Sequence, residues 1–238
     1  MKIDKIFPHL TRMCDFGDKI NKGSKTGANI SIGEGGMLLA NDMHSIIVLL
    51  ENKEFDEEVA FKSHLFPDAN SPLTIDGHEK DIDFKWKRKG INKKVNVPSC
   101  GNLFEKGKKA IDKFWKMDNS FKLPVKAFEV IDDGIHILKV MRNEDRVVFE
   151  QMTTTGDEIF TNEVPLKSSG GLLAHTQSEE VEEVETIVPT IEFKSLPILT
   201  DESVIDLSIE EDGGKIFGQI LMGSLTAKVI ISPMKYKR

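Results

Sequence analysis

The sequence predicts an α+β protein built on antiparallel sheets, and three observations carry that expectation. Helical periodicity is confined to two stretches, about 2–22 and 102–117. Elsewhere, short alternating or apolar runs bounded by Gly, Asn and Asp turns follow one another locally, without the intervening helices that a parallel sheet needs. The chain also reads as a repeat. A basic amphipathic stretch, then strand, Gly turn, strand, polar turn and strand, fills 2–51 and again 102–151, with Gly36 and Gly134 in equivalent places.

In the first helix, Ile3, Ile6, Phe7, Leu10, Met13 and Ile20 form an apolar stripe, and Lys5, His9, Arg12 and Lys19 stand on the other side. Pro8 is tolerated only in a first turn, so the helix should begin between Asp4 and Phe7, and Gly23 is its stop signal. Strands are expected at about 29–33, 36–41, 45–51 and 56–62, followed by an irregular stretch over 64–78. Residues 82–88 alternate apolar and charged, the pattern of a half-exposed edge strand. The extended, basic segment after them suggests a division into domains at 1–92 and 93–238, with a connector at about 89–97. The second helix gathers Leu103, Phe104, Ala110, Ile111, Phe114 and Met117 in one arc, with Lys106, Lys109, Lys113 and Lys116 opposite. Further strands are expected at about 126–132, 135–141, 146–153, 158–164, 186–193, 203–209, 215–221 and 226–232. The acidic run 179–185 reads as a solvated excursion.

A formal charge of −7 on a chain with two lysine-bearing helices implies affinity for a polyanion confined to one surface, with repulsion elsewhere. Lysines on both helices of a repeat suggest one shared nucleic-acid target. Cys14 and Cys100 fit neither a disulfide scaffold nor a metal-ligand spacing, which points to a reducing, intracellular setting. No segment has the length and apolarity of a signal peptide or a membrane span. The histidines stand outside any metal-ligand frame. Asp132-Asp133-Gly134 is explained by a hairpin turn. Gly33-Glu34-Gly35-Gly36 lacks the following helix and Lys-Ser/Thr pair of a phosphate loop. The sequence therefore predicts no enzyme, no metal and no cofactor.

Three segments resemble the DNA sliding clamps of the proliferating-cell-nuclear-antigen type, particularly the compact clamps of tailed phages. Residues 34–49 are similar to the family's early strand, Ala-x-Asp turn and strand. Residues 95–104 look like its Val-x-x-Pro-Ser strand end leading into a pore helix, and 204–209 with 218–233 look like its closing strands. The resemblance implies two clamp-type domains per chain in a head-to-tail homotrimeric ring, with sheets outside and basic helices lining the pore. It further implies a processivity factor that encircles double-stranded DNA and works with a DNA polymerase and a clamp loader, in a bacterial host cytoplasm if phage-encoded.

On this reading Lys5, His9, Arg12, Lys19, Lys106, Lys109, Lys113 and Lys116 face DNA. Asn41, Asp42, Met43, His44, Ser45, Ile230, Ser232 and Pro233 form a pocket for partner peptides, with Ile230 where cellular clamps carry an aromatic. The subunit interface joins Phe84, Lys85, Lys87 and Arg88 to Asp157, Glu158 and Glu163. The alternative is a non-catalytic interaction or virion structural protein built from duplicated β domains, in which the lysines merely solvate the surface.

Overall fold

The computed structural model describes residues 7–21, 27–41, 45–55, 58–68, 73–143, 145–153, 155–166, 183–211 and 214–234. Lys5 and the turn residues Asp42, Met43 and His44 lie outside the described residues.

The first antiparallel unit is made of β1 (Asn29–Gly33), β2 (Gly36–Ala40), β3 (Ile46–Glu51) and β4 (Val59–Lys62), in the order β4-β1-β2-β3. β1 and β2 are buried on both faces; β2 is accordingly nonpolar throughout, whereas β1 alternates and its polar Asn29 and Ser31 are hydrogen-bonded to each other. After a 3-10 turn at Ser63–Leu65, the chain runs through a meander of β5 (Thr74–Gly77), β6 (Asp81–Arg88) and β7 (Ile91–Pro98). The same plan then recurs. β9 (Ile137–Arg142), β10 (Arg146–Met152), β11 (Glu158–Pro165) and β12 (Val184–Pro189) take the order β11-β10-β9-β12, the counterpart of β3-β2-β1-β4. A helical turn α3 (Thr190–Lys194) replaces Ser63–Leu65, and a second meander of β13 (Val204–Ile209), β14 (Ile216–Met222) and β15 (Leu225–Ile231) follows.

The two halves join where β15 pairs antiparallel with β3, Ile231 opposite Ile46. With β8 (Phe121–Pro124) added beside β13, this gives an eight-stranded sheet, β4-β1-β2-β3-β15-β14-β13-β8.

Alternation along the strands assigns residues to the two faces of this sheet. One face carries Ile30, Ile32, Met37, Leu39, Val48, Leu50, Val229 and Ile231. These belong to a single core that reaches through Phe61 and Phe84 to Phe149 and Phe193. Helix α1 (Phe7–Ile20) packs here through Leu10, Met13, Phe16 and Ile20, and Pro8 sits in its first turn, where no hydrogen bond is lost. The other face carries Leu38, Ala40, Leu49, Phe217 and Ile230, which form a separate small cluster with Phe104 and Ile111 of helix α2 (Phe104–Phe114). α2 approaches so closely that a Cβ at Gly107 would lie 2.3 Å from Leu38 Cδ1.

The structure corrects three expectations. Residues 126–132 are not a strand: Val125–Val130 is a 3-10 helix that buries Ala127 and Phe128. Gly134 accordingly precedes β9, and the link matching that between β1 and β2 falls between the end of β9 at Arg142 and the start of β10 at Arg146, so Gly36 and Gly134 are not equivalent. The segment 89–97 is no free connector. From Ile91 it is β7, paired with β6 along its length, and a division at 92/93 cuts that hairpin. The basic helix α2 lies between the repeats, and the element in the place of α1 before β9 is Val125–Val130.

Candidate interaction surfaces

α1 and α2 bear similar basic stripes but lie on opposite faces of one sheet, so within a chain they do not form the single basic surface expected of them. The pattern of each helix fixes which side of that helix is buried; the face of the sheet it covers depends on the chain path.

The cations of α1 are held by carboxylates of the second half of the chain. Arg12 pairs with Asp201. Lys19 Nζ lies 2.9 Å from Asp133 Oδ2, and Lys194 Nζ of α3 lies 2.6 Å from Oδ1 of the same carboxylate. The hydrogen bonds from Lys194 and Lys19 hold the Asp133 carboxyl below its usual range. Burial, then the nearby Arg12 guanidinium, lowers the pKa of His9. Neither Asp133, Asp201 nor Lys194 was expected at this surface, and no spacing in the sequence marks them.

The lysines of α2 are disposed differently. Lys106, Lys109, Lys113 and Lys116 are all exposed, and among the described residues none is in a salt bridge. At the end of the helix, Phe114 is 40% exposed, with Lys113 Nζ 4.8 Å and Lys215 Nζ 5.3 Å from its ring centre. Trp115 donates from Nε1 to the Gly218 carbonyl at 3.2 Å and carries Lys228 over its ring.

Of the expected peptide pocket, Asn41, Ser45 and Ser232 are brought together. Asn41 Nδ2 donates to Ser45 Oγ (2.7 Å) and to Glu192 Oε1 (2.6 Å), Ser45 Oγ donates to the same Glu192 oxygen (2.5 Å), and the Ser232 amide donates to the Ser45 carbonyl (2.7 Å). Pro233 is exposed beside them. Ile230 is not available to a peptide: its side chain is buried beneath α2. Sequence reasoning missed Glu192, a buried acid on α3 whose burial pushes its pKa up to about 7 against the two hydrogen bonds that favour ionisation. Its other oxygen, Oε2, has no hydrogen-bond partner among the described residues.

The expected subunit-contact residues separate. β6 lies between β5 and β7 and has no free edge. Phe84 is fully buried in the main core, and Lys85 pairs with Asp76 at 2.5 Å. Lys87 and Arg88 are exposed near the β6–β7 turn. The free edge on that side is β7, carrying exposed Ile91, Lys93 and Val95. Asp157, Glu158 and Glu163 stand at or beside β11, whose outer edge is also unpaired and which exposes Ile159 and Phe160. Cys14 and Cys100 are in no disulfide among the described residues, where no group of three His, Cys, Asp or Glu side chains could hold a metal ion.

No protein-family model matches the chain, and no curated protein matches it. Solved structures do. The β clamp of Helicobacter pylori in complex with 3,4-difluorobenzamide superposes with a TM-score of 0.67 at 9% identity, over 96% of this chain and 64% of that one. A PCNA2–PCNA3 complex from Sulfolobus tokodaii gives 0.59 at 11% identity over 100% and 98% of the two chains. The proliferating cellular nuclear antigen of Entamoeba histolytica gives 0.60 at 13% identity over 95% of each. The chain thus spans 64% of the length of the bacterial clamp and nearly all of the other two.

Proposed function

We propose that this chain, which has the PCNA-like clamp fold, is a non-catalytic sliding clamp. It encircles double-stranded DNA as a homotrimer and holds a polymerase to its template. The observation that carries the ring is the state of the sheet edges. Inside the chain, β3 of the first unit pairs with β15 of the second meander. Their topological counterparts, β11 and β7, each leave their outer edge unpaired among the described residues. Two chains meeting β7 to β11 repeat the internal joint, and the contact is head-to-tail because the two edges differ. Lys93 on β7 and Glu158 on β11 favour that pairing over like with like. The exposed Ile91, Val95, Ile159 and Phe160 supply apolar area to bury.

In this reading β1–β7 and β8–β15 are the two clamp domains, with 99–120 and its helix α2 as the connector. The α1 face, with His9, Arg12 and Lys19, turns toward the duplex and touches phosphates without reading bases. Polymerase and loader use the outer side near Asn41, Ser45, Ser232 and Pro233.

Light scattering coupled to size exclusion at micromolar concentration should give three times the chain mass of 26.7 kDa, and Lys93→Glu with Val95→Asp should reduce it to one. Protein loaded on circular DNA should stay, and on linear DNA it should run off the ends. A monomer at every concentration that is held equally by both DNAs would sink the reading. The ion pairs Arg12–Asp201 and Lys19–Asp133, which neutralise the inner face, favour the second reading, a structural interaction protein with no DNA role.

A further inference from the structure

The lysine row of α2 lies across the sheet from α1, so it is unexplained by any contact that α1 makes. On the helix, from Lys106 to Lys113, it runs about 10 Å along the axis at 1.5 Å per residue, and Lys116 follows just past the helix end at Phe114. Like charges on one face destabilise the helix that carries them, and this helix also contains Gly107, a poor helix former. Nine other cations meet carboxylates: Arg12, Lys19, Lys85, Lys94, Lys139, Arg146, Lys194, Lys215 and Lys228. The lysines of this row are in no salt bridge among the described residues, and they stand side by side. It ends at Phe114, a large apolar ring left 40% exposed between two ammonium groups.

We infer that the exposed face of α2 is a docking surface for an acidic amphipathic segment of a partner protein. The carboxylates of that segment lie on Lys106, Lys109, Lys113 and Lys116, and one apolar side chain lies on Phe114. A helix with acids at three- and four-residue intervals presents them about 4.5 and 6 Å apart along its axis, in step with Lys106, Lys109 and Lys113 of α2. The flank of the row decides against a nucleic-acid strand. Exposed Glu105 and Asp112 border it on the same helix. They repel the continuous charge of a phosphodiester chain, whereas a peptide can place neutral or basic side chains there. The surface stands apart from the ring reading, since it requires only that α2 be docked on its sheet.

The test uses the full chain and three labelled probes followed by fluorescence anisotropy. The first is a synthetic peptide with Glu at the three-four spacing of Lys106, Lys109 and Lys113 and a Leu placed for Phe114. The second has the same composition with its glutamates in one block, and the third is a twenty-nucleotide oligothymidylate. The spaced peptide should bind at least about fivefold more tightly than the blocked one, and raising salt from low to about 0.3 M should weaken it about tenfold or more. Lys109→Glu with Lys113→Glu should lose about tenfold or more, and Phe114→Ser a smaller factor of about three to five, with thermal melts unchanged because these side chains stand outside the core. Equal binding of the spaced and blocked peptides overturns the proposal, as does an affinity indifferent to the double reversal. Preferential binding of oligothymidylate, lost in the same variants, would make the surface a nucleic-acid site instead.

Discussion

α1 and α2 look alike in the sequence and differ in almost everything that position decides. Each has an apolar stripe and an opposing row of cations. α1 is built into the main core and its cations are clasped by Asp133 and Asp201. α2 covers a small separate cluster on the far side of the sheet, and its lysines meet no carboxylate in a salt bridge among the described residues. An amphipathic pattern specifies a helix and the side of it that is buried; what lies on the other side is settled by residues far away in the chain.

The sharpest way to break this comparison is to cut one anchor from each helix. Phe16→Ala should cost about 4 kcal/mol and lower the melting of the whole fold, because the cavity opens in the shared core. Phe104→Ala should cost about 3 kcal/mol, but with the loss of hydrogen-exchange protection concentrated in α2 and its flanks. If both variants melt the entire chain alike, α2 is no separate layer.

Next in size is the acid behind the α1 side. With a folded pKa of about 7 against an ordinary 4.5, Glu192 is held by the fold as the protonated acid. Its effect is absent below the unfolded value. As pH rises from about 4.5 to 7, the unfolded chain ionises first, so stability falls by up to about 3 kcal/mol and stays lower above pH 7. Chemical denaturation across that range should show the fall in the native protein, and Glu192→Gln should flatten it.

Gly107→Ala tests the closeness of α2 to the sheet. The added methyl gains helix propensity but must displace the end of Leu38, and a net loss of about 1 kcal/mol confined to α2 is expected. The smallest effect belongs to Asp133→Asn. The ion pairs are half-exposed and their loss should change stability by under about 1 kcal/mol. Yet Lys19 and Lys194 are freed, so retention of duplex DNA should fall more steeply with salt than in the native protein.

Much of the fold was legible because its strands are short, strongly patterned and turn-bounded. β1, β2, β3, β6, β10, β11 and β13 to β15 fall within about two residues of their expected places. The region 126–132 misled because Phe128, Glu129 and Val130 alternate as in a strand, whereas the buried pair Phe128 and Ile131 is three residues apart, and burial against Phe193 selected the 3-10 helix. β7 misled because a two-stranded contact with β6 leaves its other edge and most of its side chains in solvent, so it carries no hydrophobic signal. At the candidate surfaces, the basic residues were legible by type and helical phase. Their partners were not, since Asp133, Glu192 and Asp201 reach them only through tertiary folding.

The joint between β3 and β15 also sets an order of events in time. β15 lies in the interior of the eight-stranded sheet, although it is the last strand of the described chain. During synthesis, the edge of β3 stays open until residues 225–231 have emerged, so the N-terminal unit waits with a bare, apolar strand exposed. Pairing partners so distant in sequence close slowly. The nascent chain is therefore at its most vulnerable to mispairing with a neighbouring copy just before β15 has emerged.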